Sequence, residues 1–184
     1  MLPKIFYMIG PKCSGKTALG SALAERTNMA PLNFSKFVRD NGLKHEDDET
    51  KTHALIQHLV NETAPRVLLE DFPQNLTQAK YFMKNCVPPI KAFYVKASKD
   101  TCQERMLARG KTHPEYLPSA ILSKKIKKFH DEGSTLIPFL KGQGSFYEIN
   151  AEDTFQNSFR ELCKTVEPVV VHVRSGGSSN ELRK

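Results

Sequence analysis

The chain has 184 residues, of which 39% are hydrophobic and 26% are charged, a composition typical of a globular domain. A chain of this length forms one domain with a sizeable core. The sequence has no apolar run near the roughly 20 residues of a membrane-spanning helix, and residues 1–9 lack the cleavage site of a signal peptide. We therefore expect a cytoplasmic protein that does not enter a membrane.

The charge is positive overall, since 27 Lys and Arg face 20 Asp and Glu for a net charge of +7. Such an excess suits an acidic partner, whether nucleotide phosphates, nucleic acid or an acidic protein surface. Much of it lies in residues 124–128, Lys-Lys-Ile-Lys-Lys, where a solvated helix face is the plainer interpretation. The sequence carries no aromatic-rich RNA-binding motif, so a nucleic-acid partner is not favoured.

The cysteines contain no Cys-x-x-Cys pair, which argues against a zinc site and against a redox motif. We expect four reduced thiols: Cys13, Cys86, Cys102 and Cys163.

Short apolar runs alternate with longer amphipathic segments, a pattern typical of a parallel sheet covered by helices. The runs predict strands over residues 4–9, 31–33, 66–70, 92–95 and 145–149. The amphipathic segments predict helices over residues 15–28, 35–40, 50–61, 77–85, 99–109, 120–141 (interrupted near Gly133 and Pro138) and 153–166. The prediction is an α/β fold with a five-stranded parallel sheet and helices on both faces.

The sequence changes character after Pro168, so we predict one domain over residues 1–167 and a C-terminal tail over residues 168–184. The β-branched run 169–173 predicts an extra edge strand. Residues 174–180 are rich in Gly and Ser, as linkers are. We expect this tail to contact another protein, and an ordinary flexible terminus is the alternative.

A glycine-rich loop lies between the first strand and the first helix, and it reads Gly-x-x-x-x-Gly-Lys-Thr. Backbone N–H groups of such a P-loop surround phosphates, and the following helix adds the positive end of its dipole. In this pattern Lys16 reaches the terminal phosphates of a nucleoside triphosphate, and the Thr17 hydroxyl binds Mg²⁺. The predicted nucleotide-binding residues are Gly10, Pro11, Lys12, Cys13, Ser14, Gly15, Lys16 and Thr17.

Two acidic residues, Glu70 and Asp71, stand at the end of the strand 66–70. P-loop proteins place a carboxylate at the end of a neighbouring strand to hold the water shell of Mg²⁺. Glu70 is the predicted carboxylate, and a simple strand-end charge is the alternative.

Two further segments suggest a family. Residues 71–79 read Asp-Phe-Pro-Gln-Asn-Leu-Thr-Gln-Ala, and residues 104–112 read Glu-Arg-Met-Leu-Ala-Arg-Gly-Lys-Thr. With the P-loop, these segments resemble the adenylate kinase family of nucleoside monophosphate kinases, from residue 4 to about residue 166. The resemblance implies a P-loop NTPase fold of the adenylate kinase type, with a donor ATP bound together with Mg²⁺.

The resemblance also implies roles for single residues. Arg105 would pack on the donor adenine, and Arg109 would contact the transferring phosphates as a catalytic residue beside Lys16. Arg39 would hold the phosphate of the acceptor, and Gln78 would recognise its base. Residues 146–152 would close the pocket of the donor base.

The chain departs from the family mainly on the acceptor side. Gln74 replaces the arginine of the strand-end motif, Asp71 replaces its glycine, and Lys125 stands where the family has another arginine. The lid, residues 110–118, is short and has no arginine near Glu115. The acceptor-binding arm, residues 34–64, also looks shortened.

Two functions therefore remain open. One is a nucleoside monophosphate kinase, with weak activity or an altered acceptor. The other is a catalytically degenerate domain with a structural or interaction role in a larger assembly, for which the resemblance suggests a ciliary or axonemal complex. Fixed positive charges are what phosphoryl transfer requires of a protein, so losing several of them at once bears directly on this choice.

Overall fold

The computed structural model of the chain describes residues 1–112 and 119–174, with side chains as far as residue 166. Five strands lie within these ranges, and their bounds are β1 Lys4–Ile9, β2 Ala30–Asn33, β3 Arg66–Glu70, β4 Lys91–Lys96 and β5 Phe146–Asn150. The helices of the described residues are α1 Lys16–Thr27, α2 Phe34–Asp40, α3 Asp48–Val60, α4 Leu76–Asn85, α5 Lys99–Thr112, α6 Ser119–Gly142 and α7 Phe155–Arg174.

The strands form one parallel sheet in the order β2-β3-β1-β4-β5. The first strand is central, with Tyr7 opposite Leu69 on one side and Ala92 on the other. This arrangement confirms the predicted α/β fold with five parallel strands. It also places the carboxyl ends of β1 and β3 side by side, with Met8 opposite Glu70.

Side chains of β1 point alternately to the two faces of the sheet and contribute to the core on each face. Ile5, Tyr7 and Ile9 face a core shared with residues of α2, α3, α4 and the second half of α6. Phe6 and Met8 face the other core, which is completed by α1, α5, the first half of α6 and α7. The strand is buried on both faces, as its near-continuous apolar sequence indicates.

Four fully buried aromatic rings pack edge-to-face in the core that Ile5, Tyr7 and Ile9 face: Tyr7, Phe34, Phe72 and Phe82. The centroids of Phe72 and Phe82 are 5.1 Å apart, and those of Phe34 and Phe72 are 5.0 Å apart. Edge-to-face contacts of this kind stabilise a fold beyond the area that they bury. The cluster therefore fixes α2, α4 and the turn after β3 to the central strand.

The long helix α6 is continuous, so the interruption predicted near Gly133 and Pro138 is wrong. A proline inside a helix removes one hydrogen bond, and it costs about 3 kcal/mol relative to alanine. Leu136 and Leu140, on either side of Pro138, are buried in the core. The burial of this helix face offsets the local cost of the proline.

The last helix, α7, continues to Arg174, so the edge strand predicted over residues 169–173 is also wrong. β-Branched residues prefer strands only weakly, and adding residues to an existing helix costs far less than starting a new element. The predicted tail thus begins inside a helix. Its residues 175–184 lie outside the described residues.

Residues 34–64, predicted as a reduced acceptor-binding arm, contain the short helix α2 and the helix α3. At the segment predicted as a short lid, α5 extends to Thr112, and residues 113–118 lie outside the described residues. All four cysteines are free thiols, as predicted. Across the described ranges, no helix combines the length and the apolar character that crossing a membrane requires.

Phe82→Ala should lower the free energy of unfolding by about 3–5 kcal/mol, because truncating a buried aromatic ring leaves a cavity. Phe82 is fully buried against Phe72 and Tyr7. Urea denaturation measures the change. Val60 is 60% exposed, and Val60→Ala should change stability by no more than about 0.5 kcal/mol. Equal losses from the two substitutions would contradict the described core.

Candidate functional site

The loop between β1 and α1 has the backbone of an anion-binding nest. Cys13 and Gly15 both adopt positive φ angles, 66° and 94°, and Gly15 caps α1 without a side-chain hydrogen bond. The N–H groups of the first turn of α1 therefore lack a side-chain acceptor at the cap. A helix N-terminus of this kind binds anions through its N–H groups and its dipole.

The two glycines of the loop are needed for different reasons. Gly15 has a left-handed backbone that disfavours other residues. At Gly10 the constraint is space, because a Cβ atom there would lie 2.7 Å from the carbonyl oxygen of Val95 in β4. Gly10 thus lets the loop leave β1 in close contact with the neighbouring strand.

Asp71 forms ion pairs with two lysines of the P-loop. Its carboxylate oxygens lie 2.5 Å from Lys12 Nζ and 2.9 Å from Lys16 Nζ. The Lys16 side chain is 4% exposed and that of Asp71 is 7% exposed, so this is a buried ion pair. Lys16 Nζ also donates to the carbonyl oxygen of Pro11 at 3.4 Å. The adjacency of β1 and β3 brings these charges together.

The environment of Asp71 keeps its carboxyl group ionised. Burial by itself would raise the pKa of Asp71, but the ammonium groups of Lys16 and Lys12 outweigh burial and hold that pKa well below its usual range. The Ser35 hydroxyl donates to the same carboxylate at 3.1 Å, and the Gln74 amide donates to Ser35 at 3.1 Å. Asp71 has a φ of 61°. This left-handed conformation favours glycine, the residue that the family motif has at this position.

Thr17 and Glu70 are in direct contact, because the Thr17 hydroxyl donates to the Glu70 carboxylate. The site thus offers a hydroxyl and a carboxylate oxygen at the start of α1 and the end of β3. Mg²⁺ prefers oxygen ligands, and it is usually held by one or two carboxylates together with substrate phosphates and water. The residues present therefore fit Mg²⁺ at the predicted position.

One cavity of about 360 Å³, here called the arginine cavity, opens beside the P-loop. Arg105 and Arg109 line it together with the loop residues Cys13, Ser14 and Gly15. The Arg105 guanidinium donates to the carbonyl oxygens of Ser14, at 3.0 Å, and Ala151, at 2.6 Å. These bonds connect the P-loop to the segment after β5 and fix the guanidinium at the cavity wall.

An aromatic residue that the sequence did not single out lines the same cavity. Phe155, the first residue of α7, is 44% exposed and stacks on Phe159 at a centroid distance of 5.7 Å. An exposed ring beside the fixed Arg105 guanidinium offers a flat surface to a planar ligand. The available sequence signal was a large apolar residue at the predicted start of a helix.

A second cavity of about 370 Å³, here called the lysine cavity, lies on the other side of the loop. Four lysines line it: Lys12 in the P-loop, Lys44 between α2 and α3, and Lys125 and Lys128 in α6. Asp71, Ser35 and Gln74 form another part of its wall. The cavity therefore combines four ammonium groups with one carboxylate.

The positive charge of this cavity affects the pKa of Lys125. Burial lowers its pKa first, and the positive charges of Lys12, Lys44 and Arg39 lower it further, against an opposing effect of Asp71. The interpretation of residues 124–128 as a solvated face is thus incomplete. Lys125 and Lys128 are exposed, but they also line the lysine cavity.

Arg39 and Gln78, the predicted acceptor residues, are not brought together at this cavity. Arg39 has a 71% exposed side chain whose Nε lies 3.5 Å from Asp40. Gln78 is fully buried, accepting from the Gln74 backbone N–H at 2.9 Å and donating to Asp48 at 2.8 Å. Gln78 thus connects α4 to α3, and its predicted role in base recognition stays a prediction.

Comparisons with known proteins place the sequence in a family. The profile of the AAA domain family AAA_18 matches residues 8–119, more than half of the chain. Adenylate kinase isoenzyme 1 of Gallus gallus is 28% identical over 107 residues, which cover 58% of this chain and 55% of that protein. Adenylate kinase isoenzyme 5 of Bos taurus is 22% identical, covering 90% of this chain and 33% of that protein. The chain thus spans about half and about a third of these relatives.

A solved structure shows the same fold over almost the whole chain. A gluconokinase from Sinorhizobium meliloti 1021 superimposes with a TM-score of 0.63, covering 96% of this chain and 98% of the gluconokinase at 14% identity. At that identity the likeness establishes the fold alone. With the family profile and the adenylate kinase relatives, the resemblance inferred from the P-loop and the segments 71–79 and 104–112 is confirmed. The chain belongs to the AAA domain family, as a divergent adenylate kinase-like P-loop domain.

Proposed function

We propose that this domain is a kinase that binds Mg·ATP and transfers its γ-phosphoryl group to an acceptor in the lysine cavity. The observation that carries the proposal is that the P-loop lines both cavities. Gly10 and Lys12 line the lysine cavity, while Cys13, Ser14 and Gly15 line the arginine cavity. A donor and an acceptor on opposite sides of one phosphate-binding loop can meet at its lysines, and such positioning is the main requirement of phosphoryl transfer.

The donor side supplies each group that ATP needs. Arg105 and Phe155 offer flat surfaces for the base, and Arg109 lines the cavity from the helix that leads into the lid region. Thr17 and Glu70 would hold Mg²⁺, which supplies neutralisation of the phosphate charge when bound. Lys16 would hold the terminal phosphates after leaving Asp71.

A nucleoside monophosphate is the acceptor that the resemblance to adenylate kinases favours. Its phosphate would lie near Arg39 and the cavity lysines, and its base near Gln78. Two features weigh against efficient transfer to such an acceptor, namely the internal hydrogen bonds of Gln78 and the uncharged amide of Gln74. Nucleoside monophosphates should therefore be assayed together with other kinds of acceptor.

The alternative is a domain that keeps this fold as an interaction module in a larger assembly, such as a ciliary or axonemal complex. It stays a proposal that rests on the resemblance to divergent adenylate kinases. Binding of Mg·ATP without ADP formation, whichever acceptor is added, would favour it.

Mg·ATP at 100 times its dissociation constant should stabilise the domain by about 2.7 kcal/mol, and Lys16→Ala should abolish most of that stabilisation. Lys16 is the buried P-loop cation, whereas Lys36 is a surface lysine paired with Asp40. Lys36→Ala is therefore the matched control, and it should respond to Mg·ATP like the parent chain. Thermal unfolding with and without the nucleotide measures the effect.

The same proteins should be assayed for ADP formation from Mg·ATP with AMP, CMP or UMP as acceptor. An unchanged thermal midpoint in saturating Mg·ATP, with Lys16→Ala equal to the parent, would remove the donor-site proposal.

Asp71 competes with the nucleotide for Lys16. In the free domain its carboxylate holds both P-loop lysines, so phosphates entering the loop have to replace it. The carboxylate also repels phosphate, since both are negative. The affinity for the nucleotide therefore depends in part on Asp71, which stands where the family motif has glycine.

Asp71→Asn should tighten Mg·ATP binding by about tenfold, because a charge-assisted hydrogen bond contributes on the order of 1.5–3 kcal/mol, part of which the asparagine amide retains. Isothermal titration calorimetry measures the dissociation constant. Asp40→Asn removes a surface carboxylate that pairs with Lys36, and it should leave the affinity unchanged. Weaker binding by Asp71→Asn would show that the carboxylate supports the nucleotide instead of competing with it.

A further inference from the structure

The lysine cavity has a charge pattern that selects its ligand. Four lysines and a single carboxylate line it, so its net charge favours an anion. Lys44, Lys125 and Lys128 form no ion pair within the described ranges of the chain. The one carboxylate of the cavity, Asp71, pairs with Lys12 and Lys16 instead, and the cavity has a volume typical of small-molecule sites.

The carboxylate lies where the reacting group of an acceptor has to be. Asp71 contacts Lys16 at 2.9 Å, and Lys16 is the P-loop lysine that would hold the γ-phosphate. An acceptor that attacks this phosphate must therefore present its reacting atom close to Asp71. A phosphate group placed there would meet a buried carboxylate of the same sign, whereas a hydroxyl group would donate a hydrogen bond to it.

Nucleobase recognition has little support in the same region. The amide of Gln78 is buried and bonded to Gln74 and Asp48. As far as the structure describes the chain, no arginine lines the lysine cavity, although bidentate arginine contacts are the usual means of fixing a phosphate. Lysines act as point charges, and they hold a carboxylate as readily as a phosphate.

We propose that the acceptor in the lysine cavity is a small hydroxylated anion, with its hydroxyl hydrogen-bonded to Asp71 and its anionic group held by Lys44, Lys125 and Lys128. This inference rests on the proposed kinase function and names the substrate class. The acceptor hydroxyl oxygen bonds to the γ-phosphorus while the bond from that phosphorus to the bridging oxygen breaks. ADP leaves with the electron pair, and the hydroxyl proton passes to solvent water.

The test uses matched acceptors with the full chain and Mg·ATP. Malate and succinate carry the same charge, but only malate has a hydroxyl group. Glycerate is a smaller hydroxycarboxylate. Glycerol 3-phosphate has a phosphate in place of the carboxylate. ADP formation should rise at least about tenfold over ATP alone with malate, glycerate or glycerol 3-phosphate, a change that corresponds to about 1.4 kcal/mol. Succinate should have no effect, and AMP should be the weaker acceptor.

Two lysine variants locate the anionic group. Lys128→Ala should raise the KM for the active acceptor by about tenfold with little change in kcat, since it removes one contact to a part of the substrate that does not react. Lys124 lies on the same helix but does not line the cavity, and Lys124→Ala should leave both constants unchanged.

The outcomes separate the two proposals. Failure to bind Mg·ATP would overturn the kinase function itself. Bound Mg·ATP with transfer to AMP alone, or with no stimulation by any of the three hydroxylated anions, would overturn the acceptor class. Stimulation by malate that is insensitive to Lys128→Ala would overturn the assignment of the lysine cavity as its site.

Discussion

The ion pairs of Asp71 with Lys12 and Lys16 are the interaction on which the site depends. A nearly buried ammonium group such as that of Lys16 requires a counterion, and in the free domain the end of β3 supplies it. The ion pairs fix the P-loop against the end of β3, and the single carboxylate offsets one of the two lysine charges. In the proposed function, a phosphate that enters the loop exchanges with this carboxylate, which links donor binding to the exposure of Asp71 to the acceptor.

The departures from the family motif lie mainly on the side of the lysine cavity. Asp71, Ser35 and Gln74 form a continuous hydrogen-bonded wall of the lysine cavity, whereas the arginine cavity keeps Arg105 and Arg109. A carboxylate at the motif glycine and an amide at the motif arginine make this wall of the lysine cavity less positive than the family motif would. Lys44 and Lys128 supply positive charge to the cavity from outside the motif, while Lys125 keeps a positive charge where the resemblance implies an arginine.

The sequence predicted the sheet well because its strands are local, apolar segments with clear boundaries. The strand Arg66–Glu70 was predicted to the residue, and the P-loop motif placed Lys16, Thr17 and Glu70 at one edge, where the structure brings them together. Parallel strands that are buried on both faces read as continuous hydrophobic runs, so little tertiary information was needed. The roles of these residues in binding stay predictions.

The remaining features depend on contacts between distant segments. Pro138 and the run 169–173 were assigned from local preference, and in both places the backbone continues an existing helix. The lysine cavity draws Lys12, Lys44 and Lys128 from three parts of the chain, and no spacing rule joins them. The hydrogen bond from Gln78 to Asp48 could not be predicted from the sequence either, because it forms only when α3 packs on α4.

The most direct test of this account is a crystal structure of the chain with Mg²⁺ and a non-hydrolysable ATP analogue. The account predicts that Lys16 Nζ leaves Asp71, now 2.9 Å away, and binds the β- and γ-phosphates, while the base lies beside Arg105 and Phe155. An analogue bound with the Lys16–Asp71 pair intact, or bound away from the P-loop, would contradict it.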